Sequence, residues 1–163
     1  YCSNVFKKIT SWKDERFKML EITKMDFSDL DEISSTLTSC FDNFWNYNIL
    51  KSELENTNSK YIVAKLNNEI VGFAGIINTL DQMEITNIVV RKDMRNQGIG
   101  NTLLNELIKL TIASKMNTIF LEVNSNNLSA IRLYEKNGFK QVGLRKKYYN
   151  NTDDAILMNL KIN

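Results

Sequence analysis

Within six residues, Arg95-Asn96-Gln97-Gly98-Ile99-Gly100, the chain passes from one kind of structure to another. The β-branched run before it, Ile85-Thr86-Asn87-Ile88-Val89-Val90, reads as a buried strand. After it Ile99, Leu103, Leu107 and Leu110 fall on one helical face, widened by Leu104 and Ile108. The order strand, glycine loop, helix points to an α/β chain in which the loop is a candidate binding element. Two glycines let the backbone turn its N–H groups toward one point, and the helix adds unpaired N-terminal donors and the positive end of its dipole. An anion suits that arrangement, a pyrophosphate best of all. A glycine pair also opens many helices that bind nothing. Neither G-x-G-x-x-G nor a lysine after the second glycine is present, so those two nucleotide-binding patterns do not apply.

With 163 residues, 43% of them hydrophobic, the chain can build one full core but not two ordinary domains. The net charge of +2, with acids and bases interspersed, implies no nucleic-acid partner. No apolar run is long enough to span a membrane and no leader pattern is evident, which makes cytoplasmic residence the expectation. The two cysteines, Cys2 and Cys40, make neither a disulfide framework nor a metal cluster and are read as reduced thiols. Histidine is absent, so a general base must be a carboxylate, a tyrosine, a lysine or a water. Histidine triads and most zinc sites drop out, and no metal is expected.

Residues 1–18 carry Lys7, Lys8, Lys13, Arg16 and Lys18 without a convincing period. They read as an extension or as a surface helix, ahead of a single domain from Met19 to Asn163 that opens on the strand Leu20-Glu21-Ile22-Thr23. Asp26 or Ser28 caps a helix on which Leu30, Ile33 and Leu37 recur. Phe41, Phe44, Trp45 and Tyr47 then cluster in an expected loop before a short helix from Ile49 to Glu55. Such aromatics either pack the core edge or wall a substrate cleft. Tyr61-Ile62-Val63-Ala64 and the run from Ile70 to Ile77, joined at Asn67-Asn68, read as an antiparallel hairpin. The strand from Thr118 to Val123 follows the leucine-rich helix by a right-handed crossover and is expected parallel to the strand ending at Val90. A helix capped by Asn127 and closed by Gly138 comes next. The last hairpin joins residues 141–149 to 155–162 through Asn150-Asn151-Thr152-Asp153, with Ile156, Met158, Leu160 and Ile162 alternating to one face.

Glu122 stands in the apolar run from Ile119 to Val123. Burial there would raise a carboxyl pKa and suit it to be a base near neutral pH, whereas a strand-end glutamate would simply reach solvent or a lysine. Tyr134 lies on the following helix among Ala130, Ile131 and Leu133. It is either a core residue or a proton donor to a departing thiolate.

Arg95, Gly98 and Gly100 fill the pattern Arg or Gln, two residues, Gly, one residue, Gly or Ala, which resembles the acetyl-CoA loop of the GNAT acetyltransferases. Downstream, Leu121-Glu122-Val123, Asn127, Ala130-Ile131, Leu133-Tyr134-Glu135-Lys136, Gly138-Phe139, Tyr148-Tyr149 and Asp154-Ala155-Ile156-Leu157-Met158 resemble the RimI branch of that family. These are bacterial N-terminal acetyltransferases of a ribosomal protein. The resemblance runs from about Met19 to Ile162. It implies the GNAT fold, a mixed and mostly antiparallel central sheet with a splayed parallel pair of strands, flanked by helices. It also implies acetyl-CoA as cosubstrate, with Glu122 as the base and Tyr134 as the acid that protonates the sulfur. Ile88, Val89 and Val90 would bind the pantetheine, Asn96, Gln97, Gly98, Ile99, Gly100 and Asn101 the pyrophosphate, with Arg95 heading that loop, and Asn127 the cofactor through its side chain. Trp45, Tyr148 and Tyr149 would border the acceptor, by resemblance the N-terminal alanine of small-subunit ribosomal protein eighteen. Three departures stand out: Asn96 and Asn101 where basic residues are frequent, and Phe44 where proline is. Glu84 is a rival base, because other branches use a carboxylate on that strand. A small-molecule amine, a lysine acceptor and a non-catalytic acyl-CoA-binding module remain open alternatives.

Overall fold

The computed structural model describes residues 20–163, so the reading of residues 1–18 lies outside it. In chain order the elements are β1 (Leu20–Lys24), α1 (Phe27–Ile33), a π-helical turn (Leu37–Phe41), α2 (Tyr47–Glu55), β2 (Ser59–Leu66), β3 (Glu69–Thr79) and β4 (Gln82–Val90). A 3-10 turn (Lys92–Met94), α3 (Ile99–Ala113), β5 (Thr118–Asn124), α4 (Leu128–Lys136), β6 (Lys140–Tyr149) and β7 (Asp153–Lys161) complete it. The strands form one seven-stranded sheet in the order β1-β2-β3-β4-β5-β7-β6. It is mostly antiparallel, with β4 and β5 as the parallel pair expected from the crossover. That pair is in register only at Met83↔Ile119 and Glu84↔Phe120, two residues of each strand. Among the described residues no helix is long and apolar enough to cross a membrane.

The chain resolves into two compact units. The first holds the described residues through Ile76 together with Asn87–Leu107. Its core gathers Leu30 and Ile33 of α1, Leu37 and Phe41 of the π-helical turn, Leu50 of α2, Val63 of β2, and Ile70 and Phe73 of β3. Phe41 and Phe73 meet with ring centroids 5.8 Å apart. Asp26, not Ser28, caps α1 in a reciprocal box: Asp29 N–H donates to Asp26 Oδ1 at 2.9 Å and Asp26 N–H to Asp29 Oδ2 at 3.0 Å. Leu37 does not continue that helix. The Ser34 hydroxyl donates to Asp31 O and the Thr36 hydroxyl to Ile33 O, so side chains compete for the carbonyls that would carry α1 onward. Of the aromatics assigned to a loop, Phe41 closes the π-helical turn and Tyr47 opens α2, which starts earlier than expected because Asn46 Oδ1 caps it. Cys40 is buried in the core of the first unit, and the reading of Cys2 as a reduced thiol lies outside the described residues. Asn67 and Asn68 are both left-handed, φ 51° and 66°, as a two-residue hairpin with the native twist requires.

The second unit holds Ile77–Thr86 and Ile108–Asn163. β5 alternates strictly: Ile119, Leu121 and Val123 are buried while Phe120 and Glu122 face the other way. β7 lies antiparallel along the whole of β5, from Thr118↔Lys161 to Asn124↔Ala155. Its buried residues are Ala155 and Met158, on opposite faces, so the single apolar face expected of Ile156, Met158, Leu160 and Ile162 is not what is covered. β6 forms the edge of the sheet and is exposed along most of its length. Asn127 and Gly138, the latter at φ 87°, begin and end α4 as expected.

Candidate active site

In the first unit the end of β4 leads into the glycine loop through a fully buried arginine. Arg91 N–H donates to Val71 O at 2.8 Å, and its guanidinium reaches Asp93 Oδ1 at 2.7 Å and Glu69 Oε2 at 3.6 Å. Asn96 and Gly98 then take left-handed conformations, φ 61° and 88°. The intrahelical bonds of α3 begin with Thr102 N–H to Gly98 O at 3.0 Å, so the N–H groups of Ile99 and Gly100 precede the helical ladder and point out of the helix end. Backbone turned by two left-handed residues onto a helix start makes an anion-binding concavity. Arg95 is directed elsewhere: its Nε donates to Val90 O at 3.2 Å and its Nη2 to Phe41 O at 3.0 Å. Lys92 Nζ donates to Ser39 O at 2.9 Å, so two cations of this loop hold the end of the π-helical turn. Ile88 and Val90 are half-buried, while Val89 is buried. A Cβ built on Gly72 would lie 3.0 Å from Val89 O, 3.1 Å from Leu103 Cδ1 and 3.5 Å from Ile99 Cγ2. Gly72 is therefore what lets β4 and α3 approach β3 so closely. Trp45 belongs to this unit, partly buried against its core and edge-on to the exposed Phe44 at 5.5 Å.

In the second unit a cleft of about 440 Å³ is lined by Gln82, Glu84, Phe120, Glu122, Arg145 and Tyr148, among others. The register explains why both candidate bases line it. Glu84 sits opposite Phe120 across the parallel pair, and Glu122, two residues on, shares the face of Phe120. Strand alternation turns Glu122 away from Leu121 and Val123. Its side chain is 22% exposed, and its Oε1 lies 2.9 Å from Arg145 Nη1. The Arg145 Cζ is 5.5 Å from the centre of the Tyr148 ring, and Tyr148 meets Tyr149 edge-on at 5.1 Å. Residues three apart on a regular strand face opposite ways. Here the β6–β7 register shifts between Arg145 and Tyr149, and Lys147 is left-handed at φ 54°, which brings Arg145 and Tyr148 to the same cleft.

Tyr134 is the buried residue of α4, its ring 5.7 Å from that of Phe139. Burial first, and the charge of Tyr149 second, push its hydroxyl up to about 12. Tyr149, half-buried, is also raised, by burial and then by the negative charge of Glu122 and by Tyr148. Asn127 uses its Oδ1 to accept the Ala130 N–H at 3.1 Å, which leaves its amide NH₂ as the group it can offer a ligand.

Two residues of the site were not singled out in the sequence. Gly72 carries a usable signal, a glycine inside an apolar strand, which marks close backbone approach. Arg145 carries none: it opens the run Arg145-Lys146-Lys147, which reads as a solvated edge until the bulge is known.

Residues 19–139 match the acetyltransferase (GNAT) family. The ribosomal protein bS18-alanine N-acetyltransferase of Escherichia coli K12 is 37% identical over 117 residues, 69% of this chain and 79% of that protein. A Bacillus subtilis protein provisionally given the same activity is 32% identical over 144 residues, 87% of this chain and 95% of its own. The crystal structure of the Escherichia coli ribosomal-protein-S18-alanine N-acetyltransferase superposes with a TM-score of 0.80 at 30% identity, covering 88% of this chain and 94% of that one. The family match over most of the chain, the glycine loop opening α3 and the shared fold lead to one conclusion: this chain is a member of the acetyltransferase (GNAT) family.

Proposed function

We propose that this protein transfers the acetyl group of acetyl-CoA to the N-terminal α-amine of a protein, and that its acceptor is the N-terminal alanine of ribosomal protein bS18. The observation that carries the reading is the cleft in which Glu122, Glu84 and Tyr148 meet, on a chain similar to enzymes named for that reaction. Residues from Met19 to Asn163 act as one catalytic domain, in the cytoplasm. The backbone of Ile88, Val89 and Val90 binds the pantetheine, and the N–H groups of the loop from Asn96 to Asn101 bind the pyrophosphate. Asn127 contributes its amide NH₂. Arg95 shapes the loop from behind, since its guanidinium holds Val90 O and Phe41 O. Tyr148 and Tyr149 border the acceptor.

Glu122 accepts the proton of the attacking amine, directly or through a water, as the C–N bond forms. Backbone N–H groups at the end of β4 stabilise the oxyanion. As the C–S bond breaks, Tyr134 donates a hydrogen bond to the sulfur. With its hydroxyl at about 12 it stays protonated throughout the cellular range. Tyr134 then gives its proton to the departing thiolate, and the proton released by the amine restores the phenol through Glu122 and solvent. An α-amine, with a pKa of about 8, is partly neutral at cellular pH, whereas lysine, at about 10.4, is almost wholly charged, so a single carboxylate base suits the first.

The reading is tested by CoA release from acetyl-CoA and a short peptide beginning Ala-Arg, beside the same peptide with a blocked N-terminus and one internal lysine. Turnover of the free-ended peptide is expected. Turnover of the blocked peptide alone would replace the acceptor by lysine, and silence on both with acetyl-CoA bound would leave a small amine or a binding module.

A further inference from the structure

Arg145 belongs to none of the roles above, yet it is the cation in contact with the proposed base. Its Nη1 is 2.9 Å from Glu122 Oε1, and the Tyr148 ring lies 5.5 Å from its Cζ. The contact depends on the fold: Glu122 pairs with Leu157 and Arg145 with Ala155, rows two residues apart on β7, so the guanidinium reaches across β7 to the carboxylate. An amine that delivers its proton to the other oxygen of Glu122 comes within about 5 Å of that guanidinium. A neutral amine tolerates the approach. An ammonium meets a like charge.

We propose that Arg145 is a specificity-determining residue that weakens the hold of the cleft's two carboxylates on a charged acceptor, and so favours the neutral amine and with it α-amines over lysine side chains. This deepens the N-terminal acetyltransferase reading and rests on it. At pH 7.5 the neutral fraction is about a quarter for an α-amine and about a thousandth for lysine. A site that takes only the neutral form would therefore discriminate by roughly two-hundred-fold before any shape selection. Glu84, the second carboxylate of the cleft, attracts cations, so without Arg145 the cleft loses its one opposing charge among the residues that line it.

The experiment compares kcat/KM for the free-ended Ala-Arg peptide with that for the blocked peptide carrying one lysine, in the full chain and in Arg145→Gln, Arg145→Met and Arg145→Lys. Arg145 is 52% exposed on the edge strand, and melting temperature and KM for acetyl-CoA report whether each variant remains folded and charged with cosubstrate. The expected result is a selectivity ratio reduced at least about ten-fold in Arg145→Gln and Arg145→Met, and held within a few-fold of the parent in Arg145→Lys, which keeps the charge without the fork. An unchanged ratio in the neutral variants overturns the proposal, as does an Arg145→Lys ratio that falls as far as theirs, which would make the geometry of the ion pair the cause. Parent enzyme that turns over the free-ended peptide and the blocked peptide equally well overturns it while sparing acetyl transfer. Parent enzyme silent on both peptides removes the underlying reading and this proposal with it.

Discussion

Gly72→Ala places one methyl group where β3 meets both segments assigned to the cofactor. The new Cβ lies 3.0 Å from Val89 O and 3.1 Å from Leu103 Cδ1, with Ile99 Cγ2 at 3.5 Å. Leu103 can give by rotating, but Val89 O is backbone in the centre of the sheet, so β4 has to move by some tenths of an ångström. Overpacking of this kind costs about 1–3 kcal/mol. Replacing glycine returns about 0.4–1 kcal/mol through the unfolded chain. The net loss is about 1–2 kcal/mol, which for a chain of this size lowers the melting temperature by roughly 2–8 °C. The same displacement moves Val89 and the first turn of α3, so acetyl-CoA binding, measured by calorimetric titration, should weaken roughly ten-fold while kcat at saturation changes little. A melting temperature that rises would show that the close approach is not tight. A lower melting temperature with unchanged acetyl-CoA affinity would refute the assignment of these segments to the cofactor.

Glu122→Gln is expected to lower kcat by about 10²–10⁴ with acetyl-CoA affinity intact, in single-turnover assays beside Glu84→Gln, which should cost far less; the reverse order would move the base to β4. Tyr134→Phe should lower kcat more than stability at neutral pH. At high pH the sign is set by its raised hydroxyl: the parent's stability is complete below pH 10 and is lost toward pH 12, at up to about 1.4 kcal/mol per pH unit, in urea melts where Tyr134→Phe loses less. Parallel alkaline profiles would place the Tyr134 hydroxyl in contact with solvent. Arg95→Ala should weaken acetyl-CoA binding roughly ten-fold by releasing Val90 O and Phe41 O, yet leave the salt dependence of binding unchanged; a flatter dependence would make Arg95 a phosphate ligand.

The signals that carried over to structure were local ones. β-branched runs, the Asn67-Asn68 and Asn150-Asn151 turns with their left-handed residues, the Asn127 cap and the Gly138 stop each act within a few residues, and each is where it was expected. The split of the expected first helix at Ser34–Thr36 was also local, but hydroxyl groups compete with a helix only weakly, and the apolar spacing of Leu30, Ile33 and Leu37 concealed it.

By itself the sequence determined the order of elements, the crossover that makes β4 and β5 parallel, and the glycine loop at the head of α3, because periodicity, turn chemistry and chain handedness are written in neighbouring residues. Only the tertiary structure decided the environment of the candidate base. Whether Glu122 is buried or paired depends on Arg145, which is far along the chain and reaches it through strand register and a bulge near Lys147. Register and bulges are set by long-range pairing, and no window of adjacent residues contains them.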